Sequence, residues 1–139
     1  MLTINRMTDY ATLLMTRFAD QPERVFTATE IANGIPLTAT TIRKLLRMLA
    51  HHGVLISQKG RKGGFRLARP ASEISLAQVM EAMEDPLALT YCGQHKAVCS
   101  LEHVCQMRPH WHKIGEQIHT LLANTSLSQL VSGRKEHVS

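Results

Sequence analysis

The stretch from Thr38 to Ala68 constrains the fold of this chain more than any other. Ile42, Leu45, Leu46 and Leu49 recur at helical spacing and define a helix from about Thr38 to His52 with one apolar face. Thr40, Arg43, Lys44 and Arg47, at i, i+3, i+4 and i+7, occupy the opposite face. Gly53 stops the helix. Val54–Gln58 and Phe65–Ala68 then read as two strands around the glycine-rich turn Lys59–Gly64. Few folds accommodate a helix anchored on one side and basic on the other, followed at once by a basic-tipped hairpin.

The upstream segment narrows the choice. Met7, Tyr10, Ala11, Leu14 and Phe18 form the stripe of an amphipathic helix. It is expected to run from near Asn5 to just before Gln21-Pro22, because proline disfavours helix in the residue before it. Thr27 and Glu30 form a capping-box pattern that opens a short helix over Ala28–Asn33, and Gly34-Ile-Pro36 breaks it. The order helix, helix, turn, helix, hairpin is that of a winged helix-turn-helix. The expected fold class is mainly α with a small β wing, followed by a long C-terminal dimerisation helix. Residues 1–74 form the expected DNA-binding region. Residues 75–139 carry a connecting helix, a cysteine loop and the dimerisation helix, and the whole makes one compact domain.

Charge is segregated along the chain. The net charge is only +5, yet no Asp or Glu occurs between Ile31 and Ser72, a stretch that carries eight of the sixteen Lys and Arg residues. Such segregation points to a polyanionic partner, and double-stranded DNA suits it. In this reading Thr40, Arg43, Lys44 and Arg47 reach base edges and phosphates in the major groove, with Thr40 and Thr41 near the helix N-terminus. Lys59, Arg61 and Lys62 on the hairpin tip contact the phosphate backbone or enter the minor groove. A merely solvated basic face is the plainer alternative for each element alone. Gly-Arg-Lys-Gly-Gly lacks the Gly-Lys-Ser/Thr ending of a phosphate-binding loop.

In the second half, Ser75 and Gln78 open a helix expected to continue through about Glu84, ended by Asp85-Pro86. A last long helix is expected from near Met107, with Pro109 tolerated in its first turn. Trp111, Ile114, Ile118, Leu121 and Leu122 approximate an a/d seam, and a second copy of the chain is its natural cover, so a homodimer is expected. The alternative is that the stripe folds back on its own domain. Ser126 and Gln129 open a short final helix, and residues 133–139 read as a frayed tail.

Between those helices lie all three cysteines, Cys92, Cys99 and Cys105, within fourteen residues. Zinc sites usually pair ligands as Cys-x2–4-Cys, whereas this spacing is Cys-x6-Cys-x5-Cys. A longer loop of thiolates suits an iron–sulfur cluster, 2Fe–2S or 4Fe–4S, better than a single zinc, which stays as the alternative. Three thiols leave a cluster one ligand short. His95, His103, His110 and His112 lie near in sequence. Asp9 is a more distant candidate, although an acid in a first helical turn also simply complements the helix dipole.

No membrane-length apolar run and no signal-peptide pattern occur, so a cytoplasmic protein without membrane contact is expected. No nucleotide loop, Ser/His/Asp set or paired catalytic carboxylates are present, which argues against an enzyme. An iron–sulfur carrier or scaffold is the competing class, and the acid-free basic stretch argues against it.

Together, Met-Thr-Asp9-Tyr-Ala, the helix-turn-helix around Gly34–Leu49, Lys59-Gly-Arg-Lys-Gly-Gly-Phe, the cysteine triad and Trp111 resemble the Rrf2 family of winged-helix transcription factors. The resemblance spans about residues 1–132. The opening Thr-Asp-Tyr-Ala-Thr-Leu-Leu-Met-Thr is most similar to the branch regulating the SUF iron–sulfur assembly system. It implies a dimer with crossing C-terminal helices and a cluster in each subunit, acting as a repressor of iron–sulfur cluster assembly genes whose DNA affinity is set by the cluster. IscR-like members of the family place a histidine three residues after the last cysteine, where this chain has Arg108. NsrR-like members use an aspartate from the first helix of the partner subunit, and Asp9 matches that position. The resemblance therefore favours Asp9, supplied in trans, as the fourth ligand. It leaves open whether the signal is iron, oxygen, nitric oxide or cluster status, and whether a zinc-bound or cluster-free repressor stands in its place.

Overall fold

A computed structural model describes residues 4–84, 100–101 and 104–131. Helix α1 (Arg6–Asp20) begins where the Asn5 side chain accepts the Met7 amide proton at 2.8 Å. Its buried residues are Thr8, Ala11, Leu14, Met15, Phe18 and Ala19. Met7 and Tyr10, expected on the apolar face, are only half-buried. The buried face is turned toward Thr8 and Met15 because α1 is gripped from several sides, by the second and third helices, the fourth helix and a wing strand.

Thr27 and Glu30 close the expected capping box, with the Glu30 amide donating to Thr27 Oγ1 at 3.1 Å and the Thr27 amide to Glu30 Oε1 at 3.4 Å. Helix α2 (Ala28–Ile31) is a single turn, shorter than the expected span to Asn33. The Ile35 amide donates to Ala32 O at 2.8 Å, and Gly34 takes φ 79°, so the chain leaves helical geometry early. Helix α3 (Ala39–His51) starts at the N-cap Thr38, whose hydroxyl accepts the Thr41 amide at 3.2 Å. Ile42, Leu45, Leu46 and Leu49 are fully buried, as their spacing requires.

Strands β1 (Leu55–Gln58) and β2 (Gly64–Leu67) pair antiparallel, with Leu55 opposite Leu67 and Gln58 opposite Gly64. Phe26 adds a third, unanticipated rung. Its amide donates to Phe65 O at 2.8 Å, and the Phe65 amide donates back to Phe26 O at 2.7 Å. The wing is thereby fastened to the residue immediately before the α2 cap. Phe26 also meets Phe18 edge-on, with ring centroids 5.4 Å apart.

After a 3-10 turn (Ala71–Glu73), α4 (Leu76–Ala82) is capped by Ser75 and Gln78. It stops two residues short of Glu84, which sits at φ 54°. Helix α5 (Arg108–Ala123) has Pro109 in its first turn, as expected. The chain then turns back, because Ser126 pairs with Ser75 and the Leu127 amide donates to Ile74 O at 2.9 Å. Residues 127–131 are helical, and the Gln129 amide donates to Ser126 Oγ at 3.4 Å, as the second-half capping pattern predicts. Leu127 enters the same core as Leu14, Leu45 and Val79. The expected tail at 133–139 lies outside the described residues.

Candidate nucleic-acid interface and metal centre

Helix α3 separates its two faces cleanly. Its leucines and Ile42 are sunk in the core, while Thr40, Arg43, Lys44 and Arg47 are exposed. Among the described residues no acid pairs with Arg43, Lys44 or Arg47. Their donors stand open toward solvent, as contact with an anionic duplex requires. Thr41 differs from Thr40. It is half-buried, and its hydroxyl lies 2.9 Å from Thr38 Oγ1 within the helix cap.

Other arginines are spent inside the fold. Arg17 donates from one guanidinium nitrogen to the carbonyls of Ile31, at 2.9 Å, and Asn33, tying α1 to the end of α2. Arg24 lies 4.4 Å over the Phe26 ring and forms an ion pair with Glu30 at 2.7 Å. The hydrogen bond from Arg24, and then those from Thr27, hold the Glu30 carboxyl below its ordinary value. These clamps fix α2 and Phe26, on which α3 and the wing rest. The capping pattern at Thr27 and Glu30 was visible in the sequence. The Arg17 and Arg24 contacts were not, because nothing in their spacing marks a partner fourteen residues or a cation–ring stack away.

At the wing, Lys59, Arg61 and Lys62 are all exposed. A Cβ on Gly63 would lie 2.5 Å from Gln58 O, and one on Gly64 would lie 2.3 Å from Phe26 O. Both glycines are thus required by close backbone approach, which lets a narrow hairpin carry its cations at the tip.

The cysteine centre is described in part. Cys92, Cys99, His95 and His103 lie outside the described residues. Cys105 is an exposed free thiol in a tight turn, its amide donating to Leu101 O at 2.9 Å. His110 and His112 are exposed at the start of α5. Asp9 is exposed in the first turn of α1, and among the described residues its carboxylate has no hydrogen-bond or ion-pair partner. Among the described residues no three His, Cys, Asp or Glu side chains gather into a metal site. Arg108 has no ligating lone pair, so the position three residues after Cys105 supplies no fourth ligand.

The winged helix and the open basic face agree with the comparison to known proteins. A family model described as Rrf2, an iron-dependent transcriptional regulator, matches residues 4–133. The chain belongs to the Rrf2 family. It is therefore a DNA-binding transcriptional regulator rather than an enzyme. Protein aau3 of Rhizobium meliloti (strain 1021) is 28% identical over 136 residues, covering 97% of this chain and 88% of that protein. The HTH-type transcriptional regulator NsrR of Halalkalibacterium halodurans is 27% identical over 137 residues, covering 97% and 94%. Among solved structures, T. potens IscR superposes with a TM-score of 0.75 at 20% identity, over 98% of this chain and 90% of that one. CymR, the global cysteine regulator of B. subtilis, gives 0.74 at 22% identity, over 95% and 98%. At those identities the structural likeness establishes the Rrf2 winged-helix fold. No helix among the described residues is long and apolar enough to cross a membrane.

Proposed function

We propose that this Rrf2 regulator is a homodimeric repressor of iron–sulfur cluster assembly genes of the SUF type, with DNA affinity controlled by an iron–sulfur cluster. Cys92, Cys99 and Cys105 of one subunit and Asp9 of the other hold the cluster. The observation that carries the reading is the open carboxylate of Asp9, on a helix whose opposite face packs against the recognition helix α3. The donor set fits: the thiol of Cys105 and the carboxylate of Asp9 are both exposed. The family's description as iron-dependent supports the choice of metal.

The dimer is supported by α5, which has no buried residue in the single chain. Trp111 and Ile114 are more than a third exposed, and Leu121 is 66% exposed. A seam of this kind is stable in water when a second copy covers it.

When bound, the cluster supplies a chemically sensitive joint between the subunits. Asp9 then fixes α1 of one subunit to the cysteine loop of its partner. Because α1 packs on α3, that tie sets the relative placement of the two recognition helices. Dimers of this architecture read half-sites about one helical turn apart, so a change in spacing costs specific affinity. Thr40, Thr41, Arg43, Lys44 and Arg47 serve the major groove, and Lys59, Arg61 and Lys62 the flanking backbone or minor groove.

Anaerobic reconstitution, with absorption spectra, iron and sulfide counts and gel shifts on the gene's own upstream region, tests the reading. The expected result is a coloured protein whose Asp9→Ala variant loses iron faster and responds less on DNA. A colourless protein holding only zinc would overturn it.

A further inference from the structure

Helix α5 is held to its own subunit near one end. The Ser75–Ser126 bridge, the Leu76 amide donating to Thr125 O at 2.9 Å and the buried Leu127 all lie at or just past its C-terminus. His119 sits 3.6 Å from Glu81, the penultimate residue of α4. From His119 back to Arg108 the helix continues for three turns, about 16 Å at 1.5 Å per residue, past the end of α4. The residues leading into this arm are apolar and open: Leu101 is 61% exposed, Val104 74% and Met107 46%. They flank Cys105.

A matching apolar residue lies elsewhere on the molecule. Leu13, 45% exposed, is one turn along α1 from Asp9, so the two share a face. In an isologous pairing each subunit offers both surfaces, and contact of one with the other occurs twice.

We propose that Leu13 of one subunit seats against Leu101 and Val104 of a second copy and seals the joint made by Asp9 from water. The inference rests on the cluster-bearing dimer proposed above. A second copy is the occupant because Leu13, Leu101 and Val104 are all left exposed by their own subunit. Ligation by Asp9 also requires α1 to approach that loop. An oxygen ligand competes directly with water, and an apolar wall beside it slows that exchange.

Two measurements on the full-length protein test this. In the reconstituted protein, Leu13→Ser should speed iron loss to a ferrous chelator about tenfold, the value of burying roughly half a leucine side chain, while Leu13→Met stays near wild type. The metal-free thermal midpoint of Leu13→Ser should fall by only a few degrees, as the loss of one partly exposed apolar contact requires, so that fast iron loss is not unfolding. The second measurement needs no cluster. With Cys92, Cys99 and Cys105 replaced by serine, a Leu13→Cys, Val104→Cys protein should form a covalent dimer under mild oxidation, and Leu13→Cys paired with Ser57→Cys should not. A covalent dimer from a protein whose native form is colourless removes the cluster and keeps the contact. Absence of the cross-link, or iron loss from Leu13→Ser at the wild-type rate while Asp9→Ala is fast, overturns the role of Leu13 and leaves the cluster reading standing.

Discussion

Replacing Gly64 with alanine should separate the wing from the helix-turn-helix. The new Cβ would lie 2.3 Å from Phe26 O and 2.8 Å from Phe26 C, and the backbone there has φ 150°. Holding a non-glycine residue in that region costs about 1–3 kcal/mol. To escape the clash the strand must also release the two Phe26–Phe65 hydrogen bonds, worth roughly 1 kcal/mol each. The total is about 3–5 kcal/mol, a fall in Tm of roughly 10–20 °C for a chain of this size. Gly60→Ala is the control, because φ there is 105° but nothing lies within 4 Å of its Cβ. That variant bears the backbone term alone. Thermal melts and urea titrations of both metal-free proteins give the difference, expected near 2 kcal/mol. Gel shifts should show weaker DNA binding for Gly64→Ala, since Lys59, Arg61 and Lys62 lose their placement. Equal destabilisation of the two variants, within about 0.5 kcal/mol, would refute the role given to close approach at Phe26.

Leu127→Ala should lower stability by roughly 2–5 kcal/mol in urea titrations, because the residue is fully buried and fastens the end of α5 to the core. Glu30 titrates below its ordinary 4.5 in the folded chain because Arg24 and Thr27 bind its ionised form. Its contribution is therefore present above that value and fades as pH falls through the lowered one, so Glu30→Gln should flatten the acid-side decline in Tm. Arg43→Ala should weaken operator binding by about 1–3 kcal/mol in fluorescence titrations while leaving iron content unchanged. A colourless Arg43→Ala protein would contradict the division of the chain into reading head and cysteine centre.

Much of the reading head was legible because its signals are local. The leucine spacing of α3, the caps at Thr27 and Ser75 and the glycine-rich tip each act within a few residues, and the structure forms all of them. Helix lengths were less legible. Helix α2 ends at Ile31 and α4 at Ala82, where main-chain turns at Gly34 and Glu84 take over from patterns that propensity alone would extend. The stripe of α1 was displaced because burial there depends on which neighbours surround the helix. At the candidate metal centre, the thiol spacing and the arginine at position 108 were plain in the sequence, and the openness of Asp9 came from the structure.

The sequence by itself determined the kind of protein: helical and strand periods, capping residues and segregated charge specify a winged helix-turn-helix with a basic reading face. Only the tertiary structure decided how the pieces are joined. Phe26 pairs with Phe65, Arg17 reaches the end of α2, Ser126 pairs with Ser75, and Leu127 enters the core beside residues more than a hundred positions earlier. Periodicity reports which face of an element is apolar. It carries no information about the partner that face or backbone edge will meet, which is fixed when the whole core packs at once.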